Sequence, residues 1–502
     1  MVALPLRLLP LSVLLATGLA LPGQATPKPP TFRFAREGVL GTSAVLVVQA
    51  ADKATAARAE AAAFDEIARL DQVLSTWNDK SELSQLLARG GGPASSELCI
   101  VLNAAHEWRT RSKGAYDPRV TDVIRLWQDA ARTGREPEAA VLAAAVAKSQ
   151  ATDWTVGDNR VELPGALTLG TLAKGWILDM AARMAATTPG VVLQSLQIGG
   201  DTRFGPVESE VDLTDPRQPA ANGKPLRTLQ LQGMALGSSG SYARGFEVAG
   251  KHHSHIVDPR TGKPCDGVLG AYAIASDAAT ADVLAMVLCV LGPEAGLPLL
   301  DQVPGAAAIV VTADGKEHVS PDFEARAVPA AAAPTLAASG AEWPAGFGVQ
   351  IDFEIKGPAA NAGGRGRGGW KRPYVAVWVE DLTGAPARTL CLWLEDRRWL
   401  RDLRRWSRLH ADLPEIERLV AQATRKAGAY TLVWDGKDDD GRQLHPGRYT
   451  VCIEVAREHG TYQLMKHDID LVTQPQAHVF PDNEEVANGK VTFGKLAGSP
   501  GK

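Results

Sequence analysis

The segment HHSHIVDPRTGKP, residues 252–264, limits the possible folds and functions of this chain more than any other segment. It contains three of the ten histidines, then an apolar pair, then Asp258 before a proline and a Thr-Gly turn. Imidazole and carboxylate groups before a sharp turn suit a metal site or a nucleotide site. An exposed polar loop has the same composition, so all three interpretations stay open at this point.

One histidine of this segment is the best candidate for chemistry. His255 lies between Ser254 and Ile256, so on a strand its side chain would face away from both neighbours. An imidazole in that position could act as a general base or hold a phosphate. His252 and His253 are expected to be ordinary surface histidines.

The overall composition is that of a globular protein. A chain of 502 residues is too long for one hydrophobic core and predicts two or three domains. Apolar residues make up 45% of the chain and the formal net charge is -4. Because there is no basic excess, nucleic acid is excluded as the main partner.

Residues 1–25 have the pattern of a secretory signal peptide. Arg7 precedes the apolar run LLPLSVLLATGLAL, and small residues at Gly23 and Ala25 offer a cleavage site. The run is too short for a transmembrane anchor, and no later stretch is expected to span a bilayer. The expected location is therefore the periplasm.

The cysteines give no framework for the fold. Their number is odd and no CxxC pair occurs, which argues against a zinc site and against a disulfide scaffold. One or two bridges remain open in an oxidising compartment. The five are Cys99, Cys265, Cys289, Cys391 and Cys452.

Changes in composition divide the chain into an α+β protein with two domains. Residues 326–345 are rich in Ala and Pro without hydrophobic periodicity, which predicts a linker. Residues 32–325 mix helical and strand patterns and predict a mixed α/β domain. Residues 346–480 contain short alternating strands, which predict a smaller all-β, Ig-like sandwich with one helical insert over 399–424. Residues 481–502 are expected to be a tail.

Three helices and several strands stand out in the mixed domain. Apolar spacing predicts helices over 54–74, 171–186 and 281–292, the last one ending at Gly292 as a C-cap. The segment TSAVLVVQA is typical of a strand, and so are SLQIGG, LRTLQLQG and GAYAIAS.

Two glycine-rich segments and one carboxylate are further candidates. QIGGD and ALGSSGSYARGF could bring backbone N–H groups close to a phosphate, but neither matches a Walker or Rossmann pattern, so each taken alone favours a tight turn. Together with the His-Asp segment they make a better case for an anionic ligand. Asp282 falls in the first turn of an apolar helix, where a carboxylate either complements the helix dipole or binds a hard cation such as Mg²⁺.

Read in order, these segments resemble one known family. SELSQLL, GAYDPRVTDVIRLW, LGTLAKGWILDMAA, QIGGD, SSGSYARGFEVAGKHHSHIVDPRTGKP and ATADVLAMVLCVLGPEAG together resemble the ApbE family of FAD:protein FMN transferases, from about Gly38 to about Val319. The resemblance implies the family fold and a magnesium-dependent split of the FAD pyrophosphate. AMP would leave, and FMN would be joined to a Ser or Thr hydroxyl of another exported protein.

The resemblance also implies roles for single residues. His255 is the candidate base. The positions implied to line the FAD site are Leu40, Trp77, Ala115, Tyr116, Asp117, Thr168, Lys174 and Asp258. The implied metal positions are the backbone carbonyl of Thr171, the carboxylate of Asp282 and the position of Met286.

Three of the matching positions depart from the family pattern. Thr168 stands where the family usually has Asp, and Gln197 replaces the commoner Asn. Met286 stands where a Thr one turn after Asp282 helps to bind magnesium, and a thioether is a poor ligand for that ion. The sequence therefore predicts an intact FAD pocket beside a depleted metal site.

The second domain resembles a periplasmic family known as DUF2271, through WKRPYVAVWVED and RTLCLWLEDRRWLRDL. The leading hypothesis is an exported flavin transferase whose partners are FAD and a periplasmic or membrane-anchored acceptor protein. Two alternatives remain: a catalytically weakened FAD-binding protein serving periplasmic electron transfer, and an FAD pyrophosphatase.

Overall fold

A computed structural model provides the structure of the chain. It describes residues 29–219, 225–241, 245–328, 346–357, 371–382, 384–394, 397–410, 421–422, 424–439, 441–444, 446–457, 461–471 and 474–496. The signal-peptide prediction over 1–25 and most of the linker prediction over 326–345 lie outside these residues.

The first domain has fifteen strands and eight helices among its described residues. The strands are β1 (Thr31–Val39), β2 (Thr42–Ala50), β3 (Gly91–Pro93), β4 (Thr155–Gly157), β5 (Arg160–Glu162), β6 (Val191–Ile198), β7 (Asp201–Phe204), β8 (Ser209–Leu213), β9 (Arg227–Leu231), β10 (Ala235–Gly240), β11 (Gly245–Val248), β12 (Lys251–Ser254), β13 (Val268–Ala275), β14 (Ala307–Thr312) and β15 (Glu317–Val319). The helices are α1 (Lys53–Leu74), α2 (Glu82–Arg89), α3 (Ser96–Arg111), α4 (Thr121–Thr133), α5 (Ala139–Ala151), α6 (Gly170–Ala186), α7 (Ala278–Gly296) and α8 (Pro321–Glu324).

An antiparallel sheet of eight strands, in the order β1-β2-β6-β7-β10-β13-β14-β15, forms the centre of this domain. Apolar side chains of α1, α6 and α7 pack with those of the strands into the largest core. A second core on β10, β13 and β14 is closed by β8, β9 and the buried Phe323 of α8. The sheet therefore has one helical face and one face covered by a small β layer.

Local sequence signals explain why the predicted helices form. Asp52 caps α1 by accepting a hydrogen bond from the Thr55 N–H at 2.7 Å. Ile67, Leu70 and Leu74 recur at helical spacing and are buried. The predictions over 54–74 and 171–186 match α1 and α6 to within one residue at each end.

Helix α7 is apolar enough to cross a membrane by length and composition, with a mean hydropathy of 2.0 over its best window, contrary to the expectation that no such segment follows the N-terminus. In the fold it is the central core helix, and eleven of its residues are buried. Gly292 adopts a φ of 70° and interrupts the helix, as predicted from its position as a C-cap. Burial of more than half of its residues accounts for much of the hydropathy of α7.

All five cysteines lie in described parts of the chain, and each is a free thiol. The sequence left one or two bridges open, and this fold contains no bridge among them. Four of the five are buried, and Cys265 is half-buried. They therefore act as small apolar side chains in the cores.

The second domain is an all-β sandwich. Its elements are β16 (Phe347–Ile355), β17 (Tyr374–Glu380), β18 (Pro386–Trp393), α9 (Arg404–Leu409), β19 (Ala421–Gln422), β20 (Gly428–Trp434), β21 (Arg448–Ala456), β22 (Tyr462–Asp470), β23 (Gln476–Val479) and β24 (Val486–Lys495). A sheet in the order β20-β16-β24-β23 packs on a sheet in the order β19-β18-β17-β21-β22. Trp406 of α9 belongs to a separate core on the outer face of the second sheet.

Three expectations about this half of the chain need correction. The predicted tail, residues 481–502, contains β24, which pairs with both β16 and β23 inside the sandwich. Among its described residues, the helical insert predicted over 399–424 contains the short α9, a preceding 3₁₀ turn and the two-residue strand β19, and the rest of it lies mostly outside them. The linker begins later than predicted, because the Val328 N–H still donates to the Thr228 carbonyl at 2.9 Å.

The boundary between the domains generates a first prediction. A fragment of residues 26–328 should fold alone and melt within a few degrees of the same domain in the full chain. The reason is that it keeps both cores and the Val328 contact, and it loses only exposed contacts such as the hydrogen bond from Lys426 Nζ to the Gly41 carbonyl, 2.6 Å.

Calorimetry of the fragment and of the full chain measures this directly, with a fragment ending at Glu317 as the control. The shorter fragment loses Phe323 and should unfold far more easily, because truncating a buried aromatic side chain costs about 3–5 kcal/mol. Insolubility of the 26–328 fragment alone would mean that the domains share a core.

Candidate active site

The site is built where helices α6 and α7 cross over the sheet. A Cβ atom on Gly175 of α6 would lie 2.5 Å from the Ala278 carbonyl oxygen of α7, so only glycine permits this approach. Gly237 of β10 has the same role against the backbone of Ala281. These two glycines bring α7 close to both α6 and the sheet, and the chemically active side chains lie beside them.

One ammonium group lies between two carboxylates at this crossing. Lys174 of α6 forms ion pairs with Asp201 of β7 and with Asp282 of α7, the latter at 3.2 Å between Nζ and Oδ2. Asp201 and Asp282 are 0% and 2% exposed, whereas the Lys174 side chain is 28% exposed. The Ser238 N–H donates to the other oxygen of Asp201 at 2.9 Å and fixes that carboxylate to β10.

Burial and charge perturb the titration of this cluster. Burial and the neighbouring Asp201 raise the pKa of Asp282 well above its usual range, and the Lys174 ammonium lowers it only in part. Burial acts to lower the pKa of Lys174, but the charges of Asp282 and Asp201 outweigh it and raise that pKa. The cluster therefore keeps its ammonium while one carboxyl group is easily protonated.

Buried polar atoms without a hydrogen-bond partner among the described residues gather around the cluster. Asp201 Oδ2 and Asp282 Oδ2 have only the Lys174 ion pair, and the Tyr116 hydroxyl also lacks a partner. Burial, together with the charges of Asp117 and Asp282, raises the pKa of Tyr116. Because buried polar groups are normally paired, such a concentration is typical of a ligand site.

Main-chain contacts join the sequence-predicted segments to one another. The Thr168 N–H donates to the Pro118 carbonyl at 2.7 Å, which connects the start of α6 to the segment of Ala115, Tyr116 and Asp117. Ala115 is fully buried, and Asp117 pairs with Arg119.

The 252–264 segment reaches the same region. Asp258 accepts two hydrogen bonds from the Arg260 side chain, each at 2.9 Å. The aliphatic part of Arg260 in turn lies over Gly114, 3.6 Å from the position of a Cβ atom there. Through Arg260, Asp258 is thereby connected to the residue before the segment that begins at Ala115.

An open cleft of about 500 Å³ lies between the segment that precedes α6 and the start of α4. Trp77 and Thr168 line it, together with Thr121, whose buried hydroxyl has no partner among the described residues. The Trp77 side chain is 89% exposed, which is unusual for so large an apolar group. An exposed indole at a cleft provides a flat surface on which an aromatic ring can stack.

The turn between β1 and β2 carries another predicted position. Leu40 and Gly41 form a two-residue hairpin loop with φ values of 47° and 77°. Both lie in the left-handed region, which is costly for leucine, so the turn holds Leu40 in a strained conformation. Its side chain is half-buried and packs against the main core.

The burial of the three histidines in the 252–264 segment differs in part from the expectation. His252 is exposed and pairs with Glu247, as expected. His253 was expected at the surface, but it is 3% exposed, with Nδ1 3.2 Å from Asp266 and its ring 5.2 Å from that of Trp127. The alternation of the strand turns His253 inward, because the segment lies against helix α4 rather than in solvent. His255 follows the end of β12 and is half-buried.

The residues present fit a divalent cation through carboxylates. Asp282 Oδ2 and Asp201 Oδ2 are buried hard oxygens with no partner other than Lys174. Magnesium is commonly bound by one or two carboxylates together with substrate phosphates. Met286, half-buried one turn after Asp282, adds no oxygen from its side chain, and Thr171 is placed in the first turn of α6. Among described residues no group of three or more His, Cys, Asp or Glu side chains could hold a metal by itself.

Comparison with known proteins places the chain in a family. Residues 40–310, more than half of the chain, match the ApbE family, and the chain belongs to that family. This confirms the resemblance that the six ordered motifs carry. Residues 366–488 match a family described as "Predicted periplasmic protein (DUF2271)".

Curated relatives and solved structures agree with this assignment. The FAD:protein FMN transferase of Rhodobacter capsulatus is 32% identical over 242 residues, which are 46% of this chain and 45% of that protein. The transferase of Treponema pallidum (strain Nichols) is 27% identical over 314 residues, 57% of this chain and 85% of that protein. The ApbE protein of Thermotoga maritima shares the fold with a TM-score of 0.54 and 25% identity, covering 60% of this chain and all of that one. A point variant of the Vibrio cholerae flavin transferase ApbE has a TM-score of 0.50 and 24% sequence identity to this chain. The match covers 59% of this chain and 99% of that one.

The sequence did not single out Asp201 as a member of the site. Its signal was its place at the end of the QIGGD segment, where a strand turns sharply through two glycines. Gly200 lies so close to Ser238 that a Cβ atom would overlap its hydroxyl. The tight turn therefore positions Asp201 beside Ser238.

The ion-pair cluster yields a second prediction. Lys174→Met should lower the free energy of unfolding by about 2–4 kcal/mol at pH 8, because it leaves two buried carboxylates without a cation. A carboxyl group whose pKa is raised in the folded state contributes stability below its unfolded pKa and loses it as the pH rises through the folded pKa. Loss of Lys174 raises the pKa of Asp282 further, so the defect should shrink at pH 5.

Denaturant titration of both proteins at the two pH values tests this. Lys148→Met is the matched control, since Lys148 pairs with Asp122 at 2.9 Å but its side chain is 74% exposed. It should change stability little at either pH. A Lys174→Met protein as stable as its parent at pH 8 would show that the cluster does not hold the fold.

Proposed function

We propose that this protein is an exported FAD:protein FMN transferase. It moves FMN from FAD to a Ser or Thr hydroxyl of a periplasmic or membrane-anchored acceptor protein and releases AMP. The observation that carries the proposal is the buried cluster of Lys174, Asp201 and Asp282, in a chain of the ApbE family whose relatives have this activity. A cleft lined by Trp77 and by Thr168, which lies just before α6, supports it. The periplasmic description of the second domain's family supports export.

Several features suit binding of the FAD pyrophosphate at the start of α6. Its N-cap residue, Leu169, provides no side-chain cap, and the Gly170 N–H has only a long contact of 3.4 Å to the Thr168 hydroxyl, so the first turn offers N–H groups to an anion. Lys174, one turn further along the same helix, adds a positive charge. The Trp77 indole can stack on one ring system of FAD. The family resemblance assigns Leu40 and Asp258, which lie on two further loops, to the same site.

The reaction exchanges the phosphoanhydride bond of FAD for a phosphoester bond to the acceptor. The acceptor hydroxyl oxygen forms a bond to the FMN phosphorus, and the bond from that phosphorus to the bridging oxygen breaks. AMP leaves with the electron pair, and the hydroxyl proton passes to a base, for which His255 is the candidate. A magnesium ion held by Asp282, the Thr171 carbonyl and the phosphates themselves would offset the negative charge on the leaving group.

Met286 is the observation that favours a second candidate. A position that would complete the metal site offers only a thioether, so a weakened protein that binds FAD and serves electron transfer is the alternative. An FAD pyrophosphatase differs only in that water replaces the acceptor hydroxyl.

A third prediction separates these candidates. The protein should bind FAD more tightly than FMN, because the site holds the adenylate half as well as the flavin. With Mg²⁺ and an exported candidate acceptor, it should place flavin on that acceptor in amounts equal to the AMP released. Fluorescence of the acceptor band after denaturing electrophoresis, together with chromatography of AMP, measures both.

The other outcomes are informative as well. AMP and free FMN at the same rate without acceptor would indicate the pyrophosphatase. Tight FAD binding without AMP under any condition would indicate the binding protein. Equal affinity for FAD and FMN would contradict the whole proposal, because no part of it uses the flavin half alone.

A fourth prediction concerns the depleted metal position. Met286→Thr should lower the Mg²⁺ concentration at half-maximal activity by about tenfold, which corresponds to a new ligand contributing about 1.4 kcal/mol. Asp282→Ala should abolish activity at every Mg²⁺ concentration, because it removes the buried carboxylate that the site needs.

The control for this series is Met286→Leu, which keeps the volume of the side chain without adding an oxygen and should leave the Mg²⁺ requirement where it was. Full activity of Asp282→Ala, or saturation of the parent protein at trace Mg²⁺, would contradict the assignment of Asp282. Activity that exists only after Met286→Thr would favour the binding protein.

A further inference from the structure

The N-terminus of helix α7 is bound by two carboxylates, and one of them comes from another helix. Asp277 is the helix's own cap and accepts from the Thr280 N–H at 2.8 Å. Asp179 of α6 accepts from the N–H groups of Ala278 and Ala279, at 2.9 and 3.1 Å. A helix that already has a side-chain cap gains a link to its neighbour from the second carboxylate.

The environment of Asp179 disfavours an ionised carboxylate. Its side chain is 12% exposed, and burial raises its pKa to about 6. The two N–H donors and Arg203, at 3.4 Å, offset that burial only in part. Capping alone does not explain a second carboxylate in this position, because Asp277 already caps the helix.

Asp179 acts on the same pair of helices that carries the active cluster. Lys174 lies five residues before Asp179 on α6, and Asp282 lies four residues after Ala278 on α7. Gly175 packs against the Ala278 carbonyl one turn away from the Asp179 contact. Two contacts one turn apart prevent α6 from sliding or rotating against α7, which neither contact achieves alone.

We propose that Asp179 is a positioning residue that holds α6 and α7 in register, so that Lys174 and Asp282 face the same point of the site. The effect on turnover rests on the proposed transferase function, whereas the effect on geometry does not. Asp179 has no part in binding FAD, because its hydrogen bonds run to the backbone of α7.

The experiment compares Asp179→Ala with Asp277→Ala in the full-length protein. Both variants remove a carboxylate from the N-terminus of α7, but only Asp179 connects that helix to α6. Asp179→Ala should lower kcat for AMP release about 10- to 100-fold with little change in KM for FAD, because misplacing catalytic groups by about 1 Å has effects of that size. Asp277→Ala should keep kcat, while melting temperatures of both variants fall by similar amounts. Asp179→Asn, which keeps one acceptor oxygen, should recover part of kcat.

Crystal structures of the two alanine variants provide a readout that is independent of activity. The distance between Lys174 Nζ and Asp282 Oδ2, 3.2 Å here, should lengthen in Asp179→Ala and stay unchanged in Asp277→Ala. Equal losses of kcat in both variants, or an unchanged distance in Asp179→Ala, would overturn the positioning role. Absence of AMP release by the parent protein would overturn the transferase proposal instead, and the crystallographic distances would still decide the role of Asp179.

Discussion

The ion pairs of the Lys174 ammonium connect the central elements of the first domain. It links α6 to β7 through Asp201 and to α7 through Asp282, so one cation connects three segments that are far apart in the chain. Both carboxylates are buried, and each would be costly without it. The same three side chains are the charged groups of the candidate site, so the stability of this region and its chemistry depend on one arrangement.

That arrangement requires close packing of backbone. Gly175 lets α6 approach α7, and Gly237 lets β10 approach α7 at the residue before Asp282. Larger side chains at either position would push α7 away and separate Asp282 from the ammonium of Lys174. Polar contacts of Asp179 and packing contacts of these glycines therefore serve the same end, and neither set would position the cluster alone.

Features with a local cause could be predicted from the sequence, and those that depend on distant contacts could not. Helix α1 and strand β2 follow from hydrophobic periodicity, and the break at Gly292 follows from the need for a positive φ. Strand β24 was mistaken for a tail because its partners, β16 and β23, give it a place that its own residues do not specify. His253 was misplaced for the same reason, since helix α4 covers it. The resemblance to the ApbE family predicted most of the candidate site residues from motifs in the sequence. Asp201 was identified only in the structure, through its ion pair with Lys174.

The charges of Lys174, Asp201 and Asp282 bear on the proposed metal site, in which Met286 would supply no oxygen ligand. Two carboxylates and one ammonium carry one net negative charge when all are ionised, and burial together with the charge of Asp201 raises the pKa of Asp282. A pyrophosphate brought to the start of α6 would add further negative charge within a few ångströms. Either a proton on Asp282 or a bound cation must then compensate, because a buried site tolerates little uncompensated charge. Under the proposed function, Met286 in place of an oxygen ligand would weaken the hold on such a cation without removing the electrostatic need for it.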